Sequence, residues 1–203
     1  MTITPHSSEN LRPGFTDPVH QSQQAFRATL NALSRPGTLC TLPAPAAAPS
    51  GWSPTLTALA LTLFDQDTLV WLDAVAASTE AVAHLRFHCG CPIVTIPDMA
   101  VFAVVSDPSC MPPMHTFPIG DPQYPERSAT IILAIESLTG GTPLRWTGPG
   151  IKDSVTVAPQ GLPPNFAAQW ADNHALYPSG VDVFLIAGDQ VMGLPRGVSI
   201  EEI

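Results

Sequence analysis

A short apolar run in the second half of the chain constrains the fold most. Residues 129–135 read ATIILAI, a nearly continuous apolar segment that is rich in β-branched side chains. Such a run fits a strand that is covered on both faces better than a strand of a surface hairpin. We therefore expect this segment to lie in the core, with the rest of the chain arranged around it.

The residues that follow this run predict a hairpin. Gly140 and Gly141 supply a turn where positive φ angles carry no Cβ penalty, and residues 143–147 (PLRWT) alternate polar and apolar positions. A tight glycine turn between two extended segments is typical of a β-hairpin. The sequence thus pairs the apolar run with residues 143–147.

The predicted hairpin ends in a Gly-Pro-Gly turn, Gly148, Pro149 and Gly150. Two residues without side chains flank a proline whose φ is fixed, so the backbone amides of Gly148, Gly150 and Ile151 could approach a ligand or a partner closely. We treat this turn as a candidate binding element.

Elsewhere, helical and extended patterns alternate. A helix is predicted from about Pro18 to Leu33, because Val19, Phe26, Leu30 and Leu33 repeat at helical spacing along an apolar stripe. Ser53-Pro54 and Ser78 mark two further helix starts. Because helices and strands interleave early and hairpins come late, we expect a three-layer α/β/α fold with a mixed sheet.

Length and composition indicate one domain in an assembly. The 203 residues are only 12% charged and 45% hydrophobic. We expect a flexible leader over residues 1–14 and a single domain over residues 15–203. Because monomers rarely leave large apolar patches in water, the low charge favours an oligomeric subunit.

The net charge excludes some partners. A formal charge of −9 argues against a nucleic acid or an anionic membrane surface. No apolar run reaches the roughly 18 to 20 residues that a membrane span needs, and the N-terminus lacks a secretory pattern. We therefore expect a cytoplasmic protein whose four cysteines are reduced thiols.

An ordered set of segments resembles the PhnH family, a subunit family of the bacterial carbon–phosphorus lyase system for phosphonates. The matching segments are 14–18 (GFTDP), 22–27 (SQQAFR), 32–37 (ALSRPG), 63–68 (LFDQDT), 70–72 (VWL), 85–88 (LRFH), 129–133 (ATIIL), 144–151 (LRWTGPGI), 177–182 (YPSGVD) and 194–196 (LPR). Their order and spacing hold from about Phe15 to the C-terminus. Gly197 departs from the pattern, which has a hydroxylated residue there, and residues 110–115 do not match it.

The resemblance implies a homodimer with a fold similar to pyridoxal-phosphate-dependent transferases but without that cofactor. It also implies work inside a multi-subunit core complex, which exchanges the adenine of ATP for a phosphonate to give a ribose 1-phosphonate 5-triphosphate. The isolated chain is then expected to be inactive. Its proline-rich loops and the Gly-Pro-Gly turn are expected to dock other subunits and could line a shared site for a phosphonate or a ribose triphosphate. A Schiff-base cofactor would need Lys152, the single lysine, which has no recognisable acidic partner in the sequence, so we expect no cofactor.

Four arginines are candidates for phosphate or carboxylate contacts: Arg27, Arg35, Arg145 and Arg196. The alternative is that each forms an ion pair with a carboxylate such as Glu126 or Asp182. Those two acids are themselves candidates for acid–base roles, with structural hydrogen bonding as the alternative. A free-standing arginine-based binding module or enzyme therefore remains the second functional hypothesis.

A metal site is the last alternative. His88, Cys89 and Cys91 could join Cys110 and His115 around zinc, but one residue between two cysteines is shorter than the usual zinc spacing. We expect no metal. His88 remains a candidate ligand or partner contact, with a buried hydrogen-bonding role as its alternative.

Overall fold

The computed structural model describes residues 12–203. The helices are α1 (Pro18–Ser34), α2 (Pro54–Leu63), α3 (Thr79–His88) and α4 (Phe166–Ala175). The strands are β1 (Cys40–Thr41), β2 (Val70–Leu72), β3 (Ile93–Val94), β4 (Phe102–Val105), β5 (Thr130–Ala134), β6 (Leu144–Thr147), β7 (Val155–Val157), β8 (Asp182–Ala187), β9 (Gln190–Leu194) and β10 (Ser199–Glu202). Residues 1–11 of the predicted leader lie outside the described residues.

The strands form a mixed sheet and a small second sheet. The seven-stranded sheet has the order β1-β9-β8-β5-β4-β2-β3, in which β3, β2, β4, β5 and β8 run parallel. The β9 strand is antiparallel to both β8 and β1. The second sheet, β10-β6-β7, is antiparallel. The predicted α/β class with a mixed sheet is confirmed.

The apolar run forms β5, near the middle of the large sheet. Ile131 and Leu133 point into one core cluster and Ile132 into the other, and all three are fully buried. Parallel neighbours, β4 and β8, cover its two edges. The prediction of a strand buried on both faces is confirmed.

The hairpin predicted from residues 129–147 is wrong. The β5 and β6 strands lie in different sheets, because β4 and β8 already occupy both hydrogen-bonding edges of β5. The β6 strand pairs instead with β7 and β10. By contrast, one of the hairpins expected late in the chain is present and joins β8 to β9 around Gly188.

Each face of the large sheet carries a different layer. Helices α1 to α3 pack on one face and build a core cluster that contains Trp52, Leu56 and Leu85. The other face is covered by α4 and the three-stranded sheet, whose Trp146 and Trp170 are fully buried. The third layer is therefore part helix and part sheet, and not helical throughout as predicted.

Most of the apolar stripe of α1 is exposed, and only Leu33 at its end packs against the core. Val19, Phe26 and Leu30 are 77%, 48% and 51% exposed, whereas the residues that α1 buries are Ala25, Thr29 and Ala32. The reason is a close approach of backbones: a Cβ on Gly193 of β9 would lie 2.6 Å from the Ala32 carbonyl oxygen. Only the small-residue face of the helix fits at that separation.

Within the described residues, none of the helices is both long and apolar enough to cross a bilayer.

Candidate functional site

A cavity at the amino ends of β5 and β8 brings together four of the predicted site residues. It has a volume of about 390 Å³, and its lining includes Glu126, Pro149, Asp182 and Arg196. Glu126 lies just before β5, Asp182 begins β8, and Arg196 follows β9. We call this space the Arg196 cavity. Sequence separation of up to 71 residues is bridged here, because parallel strands place their amino ends side by side.

Arg196 and Asp182 form the polar wall of the Arg196 cavity. The Arg196 guanidinium donates from Nε at 3.1 Å and from Nη2 at 2.5 Å to the Asp182 carboxylate, and its backbone amide donates to Asp182 Oδ1 at 2.8 Å. Its Nη1 donates to the Pro125 carbonyl at 2.8 Å. Both side chains are largely buried. This fork is therefore an internal ion pair that fixes three chain segments.

Two residues of α4 hold the segments that flank the cavity. Asn173 is buried, donates to the Val181 carbonyl at 2.9 Å and accepts from the Val181 amide at 2.8 Å. The His174 ring contacts the Arg196 carbonyl through Nδ1 at 2.9 Å. These bonds hold Val181, which precedes Asp182, and Arg196 against the same helix.

The Gly-Pro-Gly turn contributes Pro149 to the cavity, but its glycines have internal roles. A Cβ on Gly148 would lie 2.7 Å from the Gly197 carbonyl oxygen, and one on Gly150 would overlap the Ser34 carbonyl. The Ile151 amide donates to the Gly148 carbonyl at 3.2 Å and closes the turn. Close packing of backbones thus explains both glycines without a ligand.

The remaining arginines lie elsewhere. Arg145 on β6 pairs with Glu201 of β10 at 3.1 Å, on an exposed part of the small sheet. Arg27 and Arg35 are exposed and form no ion pair with another residue between positions 12 and 203. The four arginines therefore do not converge on one site, and the arginine-based module gains no support.

His88 is the last residue of α3 and contacts the first described residues of the chain. Its Nε2 contacts the Arg12 carbonyl at 2.9 Å, and Gly14 packs against its ring. Arg12 also pairs with Glu80 at 2.8 Å. Residues 12–14, which belong to the predicted flexible leader, are thus in contact with α3.

His84 lies one helical turn before His88 and was missed by the sequence analysis. The residue is 1% exposed, and its ring is tilted by 47° to the His88 ring at a centroid distance of 4.3 Å. Neither ring nitrogen has a hydrogen-bond partner among the described residues. Burial, followed by the neighbouring His88 charge, lowers the pKa of His84 to about 4. The i, i+4 spacing of the two histidines on a predicted helix was the available signal.

The hypothetical zinc set is not assembled. Cys89 and Cys91 precede β3, whereas Cys110 and His115 follow β4, so the two halves lie beyond opposite ends of parallel strands. Within residues 12–203 there is no group of three or more metal-ligating side chains in position to hold an ion. A hydrogen bond with Cys91 and burial raise the pKa of the Cys89 thiol. Lys152 is exposed beside the Gly-Pro-Gly turn.

A second cavity, of about 510 Å³, lies at the opposite end of the sheet. It is lined by Ser106 and Asp107 after β4 and by Glu136 after β5. The Ser109 hydroxyl hydrogen bond is the main cause that lowers the pKa of Asp107. Two carboxylates make this cavity unfavourable for a phosphonate or a phosphate.

Asp73 organises that end of the sheet, and the sequence analysis also missed it. The residue is buried directly after β2, and its carboxylate accepts the amides of Ala76, Ser106 and Asp107 at 2.6, 2.7 and 2.8 Å. An acid at the end of a buried strand was the signal. Its role is to tie the loops after β2 and β4 together.

Comparison with known proteins gives a family model and one relative that match nearly the whole chain, and a second relative that matches part of it. The family model described as "Bacterial phosphonate metabolism protein (PhnH)" matches residues 13–201. Alpha-D-ribose 1-methylphosphonate 5-triphosphate synthase subunit PhnH of Rhizobium meliloti (strain 1021) is 38% identical over 187 residues, which cover 92% of this chain and 94% of that protein. Putative C-P lyase subunit protein HtxG of Stutzerimonas stutzeri is 34% identical over 82 residues, 40% of this chain and 42% of that protein.

Proposed function

Because this chain belongs to the PhnH family of bacterial phosphonate metabolism proteins, we propose that it is a subunit of the carbon–phosphorus lyase core complex. In that role it is needed to form ribose 1-methylphosphonate 5-triphosphate from ATP and methylphosphonate. The observation that carries the proposal is 38% identity to a synthase subunit over 92% of this chain and 94% of the relative.

The isolated chain does not perform the reaction under this proposal. Arg196 supports that division of labour, because its guanidinium is already neutralised by Asp182 and cannot bind a triphosphate without breaking the pair. Pro149 and the prolines around it present a rigid surface and no nucleophile. The catalytic groups come from other subunits.

A homodimer is the second part of the proposal. Val19, Phe26 and Leu30 are separated by seven and four residues, so they form one exposed apolar row on α1. A row on a single helix can pair with its own copy across a two-fold axis, and the low charge of the chain favours such burial. We assign this row to a second copy of the chain.

Three further features complete the proposal. The chain forms one domain from residue 15 onward, with a fold similar to pyridoxal-phosphate-dependent transferases. It uses no such cofactor, since Lys152 is exposed and forms no ion pair within residues 12–203. It works in the cytoplasm.

Reconstitution tests the proposed function. The other subunits of the synthase from the same genome are purified with and without this chain, supplied with ATP and methylphosphonate, and followed by ³¹P NMR and adenine release. Product should form only when this chain is present, and the chain alone should release no adenine. Full activity without it, or robust turnover by the isolated chain, would overturn the proposal.

A further inference from the structure

Apart from Glu126 and the Arg196–Asp182 pair, the lining of the Arg196 cavity is apolar and stiff. Four prolines line it, Pro125, Pro149, Pro178 and Pro195, together with the ring of Tyr177. Proline has almost no side-chain rotamer freedom to lose, so a partner that binds here orders little of this surface. The Arg196 cavity is therefore preformed and suited to a compact apolar group.

The charge that remains free at the cavity is negative. Asp182 neutralises the Arg196 guanidinium, and each of the three guanidinium nitrogens already donates a hydrogen bond, Nε and Nη2 to Asp182 and Nη1 to the Pro125 carbonyl. Glu126 lines the same cavity, is exposed, and forms no ion pair within residues 12–203. The cavity therefore favours a cation at its rim and disfavours a phosphate.

The position of the cavity also separates it from small-molecule sites. In open α/β sheets, ligands bind outside the carboxyl ends of the parallel strands. The Arg196 cavity lies at their amino ends, beside the first residues of β5 and β8. A surface at the amino ends of the strands is therefore available for contacts with another protein.

Both tyrosines of the chain lie at this surface. Tyr177 lines the cavity and is 62% exposed, and Tyr124, also exposed, directly precedes Pro125 and lies under the Arg127 guanidinium at 4.0 Å. Tyrosine and arginine are the residue types that dominate binding energy at protein interfaces. Their grouping around a preformed hollow is the pattern of an interface centre.

We propose that the Arg196 cavity docks another subunit of the complex, by accepting an apolar side chain flanked by a lysine or arginine that pairs with Glu126. This inference rests on the proposed function and deepens it by naming the docking surface and the chemistry of its partner. The net charge of −9 adds long-range attraction for such a basic partner surface.

Two variants and two matched controls test the docking surface. Tyr177→Ala removes the exposed ring and Glu126→Lys reverses the free charge, while Phe87→Ala removes a ring of similar exposure on α3, at 65%, and Asp98→Lys reverses an exposed charge elsewhere. Affinity for the remaining synthase subunits is measured by biolayer interferometry on the full chain. Each cavity variant should bind at least about tenfold more weakly, with an unchanged melting temperature, and each control should bind like the wild type.

Failure of this inference is distinguishable from failure of the proposed function. If wild-type chain binds and both cavity variants bind equally well, the docking surface is wrong and the function stands. If the wild-type chain binds none of the other subunits, both are overturned. Dissociation of the homodimer by Tyr177→Ala would show that a second copy occupies the cavity. A thermal shift with ribose 5-phosphate that Glu126→Lys or Tyr177→Ala abolishes would show a small-molecule site. Either of these last results overturns the inference.

Discussion

Gly150 lies so close to Ser34 that a Cβ on the glycine would overlap the serine carbonyl oxygen. Ser34 is the last residue of α1 and Gly150 ends the turn after β6, so this contact joins a helix on one face of the large sheet to the small sheet on the other side. It also fixes Pro149, one residue earlier, in the wall of the Arg196 cavity.

Gly150→Ala is expected to destabilise the protein by about 3 kcal/mol. The φ angle of Gly150 is +84°, so the substitution adds left-handed strain to the overlap with Ser34. Gly188→Ala is the matched control, because Gly188 also has a positive φ, +58°, but no atom lies within 4 Å of its Cβ position. The control should lose only about 1 kcal/mol. Urea unfolding measures both, and equal losses would contradict the proposed contact.

Asp182→Ala is expected to lower the free energy of unfolding by about 3 kcal/mol. The change leaves the largely buried Arg196 guanidinium without its counter-charge, which is more damaging than loss of an exposed pair. Glu201→Ala, which breaks the exposed pair with Arg145, should change stability by less than about 1 kcal/mol. Thermal or urea unfolding compares the two variants. An Asp182→Ala variant as stable as the wild type would show that the Arg196–Asp182 ion pair does not stabilise the fold.

Stability is expected to fall as the pH drops from about 6.5 to about 4, through His84. The unfolded pKa is near 6.5 and the folded pKa is about 4, so in this window the unfolded chain binds a proton that the folded protein excludes. The loss approaches about 3 kcal/mol at the acidic end. The neighbouring charges that act on His84 are His88, which opposes its protonation, and Glu80, which favours it.

His84→Leu tests this pH dependence. The ring makes no hydrogen bond with any described residue, so the apolar replacement should keep stability at pH 7 and flatten the curve between pH 6.5 and 4. His115→Gln changes an exposed histidine and should leave the slope as in the wild type. Urea unfolding at half-unit pH steps measures the slopes. An unchanged slope in His84→Leu would assign the acid sensitivity to other groups.

Asp73→Ala is expected to destabilise by about 3 kcal/mol. Three backbone amides, those of Ala76, Ser106 and Asp107, lose their acceptor in a buried place. Asp73→Asn keeps one acceptor oxygen and should lose about half as much. Hydrogen exchange provides a local readout, since the amides of Ser106 and Asp107 should exchange faster. Wild-type protection in Asp73→Ala would contradict the assigned role.

Phe26→Glu is expected to dissociate the proposed homodimer. The substitution places a carboxylate in the middle of the exposed apolar row on α1, where a second copy would bury it without a partner. Gln24→Glu adds the same charge to the same helix at an exposed position away from the row. Sedimentation equilibrium should show a monomer for Phe26→Glu and a dimer for Gln24→Glu. A dimeric Phe26→Glu would place the self-association surface elsewhere.

Local chemistry let the sequence predict the helix starts and the central strand. Ser53 and Ser78 cap α2 and α3 by accepting the amides of Leu56 and Ala81, as short polar residues before a helix do. The ATIILAI run contains β5 because its apolar residues, six of the seven, exclude water from both faces. The ordered motifs were sufficient to identify the family, which the comparison confirms.

Local sequence patterns predicted only some of the site residues. Arg196 and Asp182 were each singled out as candidates, but their pairing depends on β8 and β9 turning back on each other over 14 residues. Tyr177, Asp73 and His84 were not singled out. The place of Asp73 after a buried strand and the i, i+4 spacing of His84 and His88 were available signals, whereas nothing near Tyr177 in the sequence marks its exposure at a cavity.

The sequence by itself determined the elements that depend on near neighbours: the capped helices, the buried β5 run and the α/β class. The tertiary structure alone decided that β6 pairs within a second sheet and not with β5, and that α1 turns Val19, Phe26 and Leu30 outward. Both outcomes follow from which groups already occupy the neighbouring positions. The edges of β5 were already taken by β4 and β8, and the close approach of α1 to Gly193 admits only small side chains, so contacts distant in the chain overrode the local pattern.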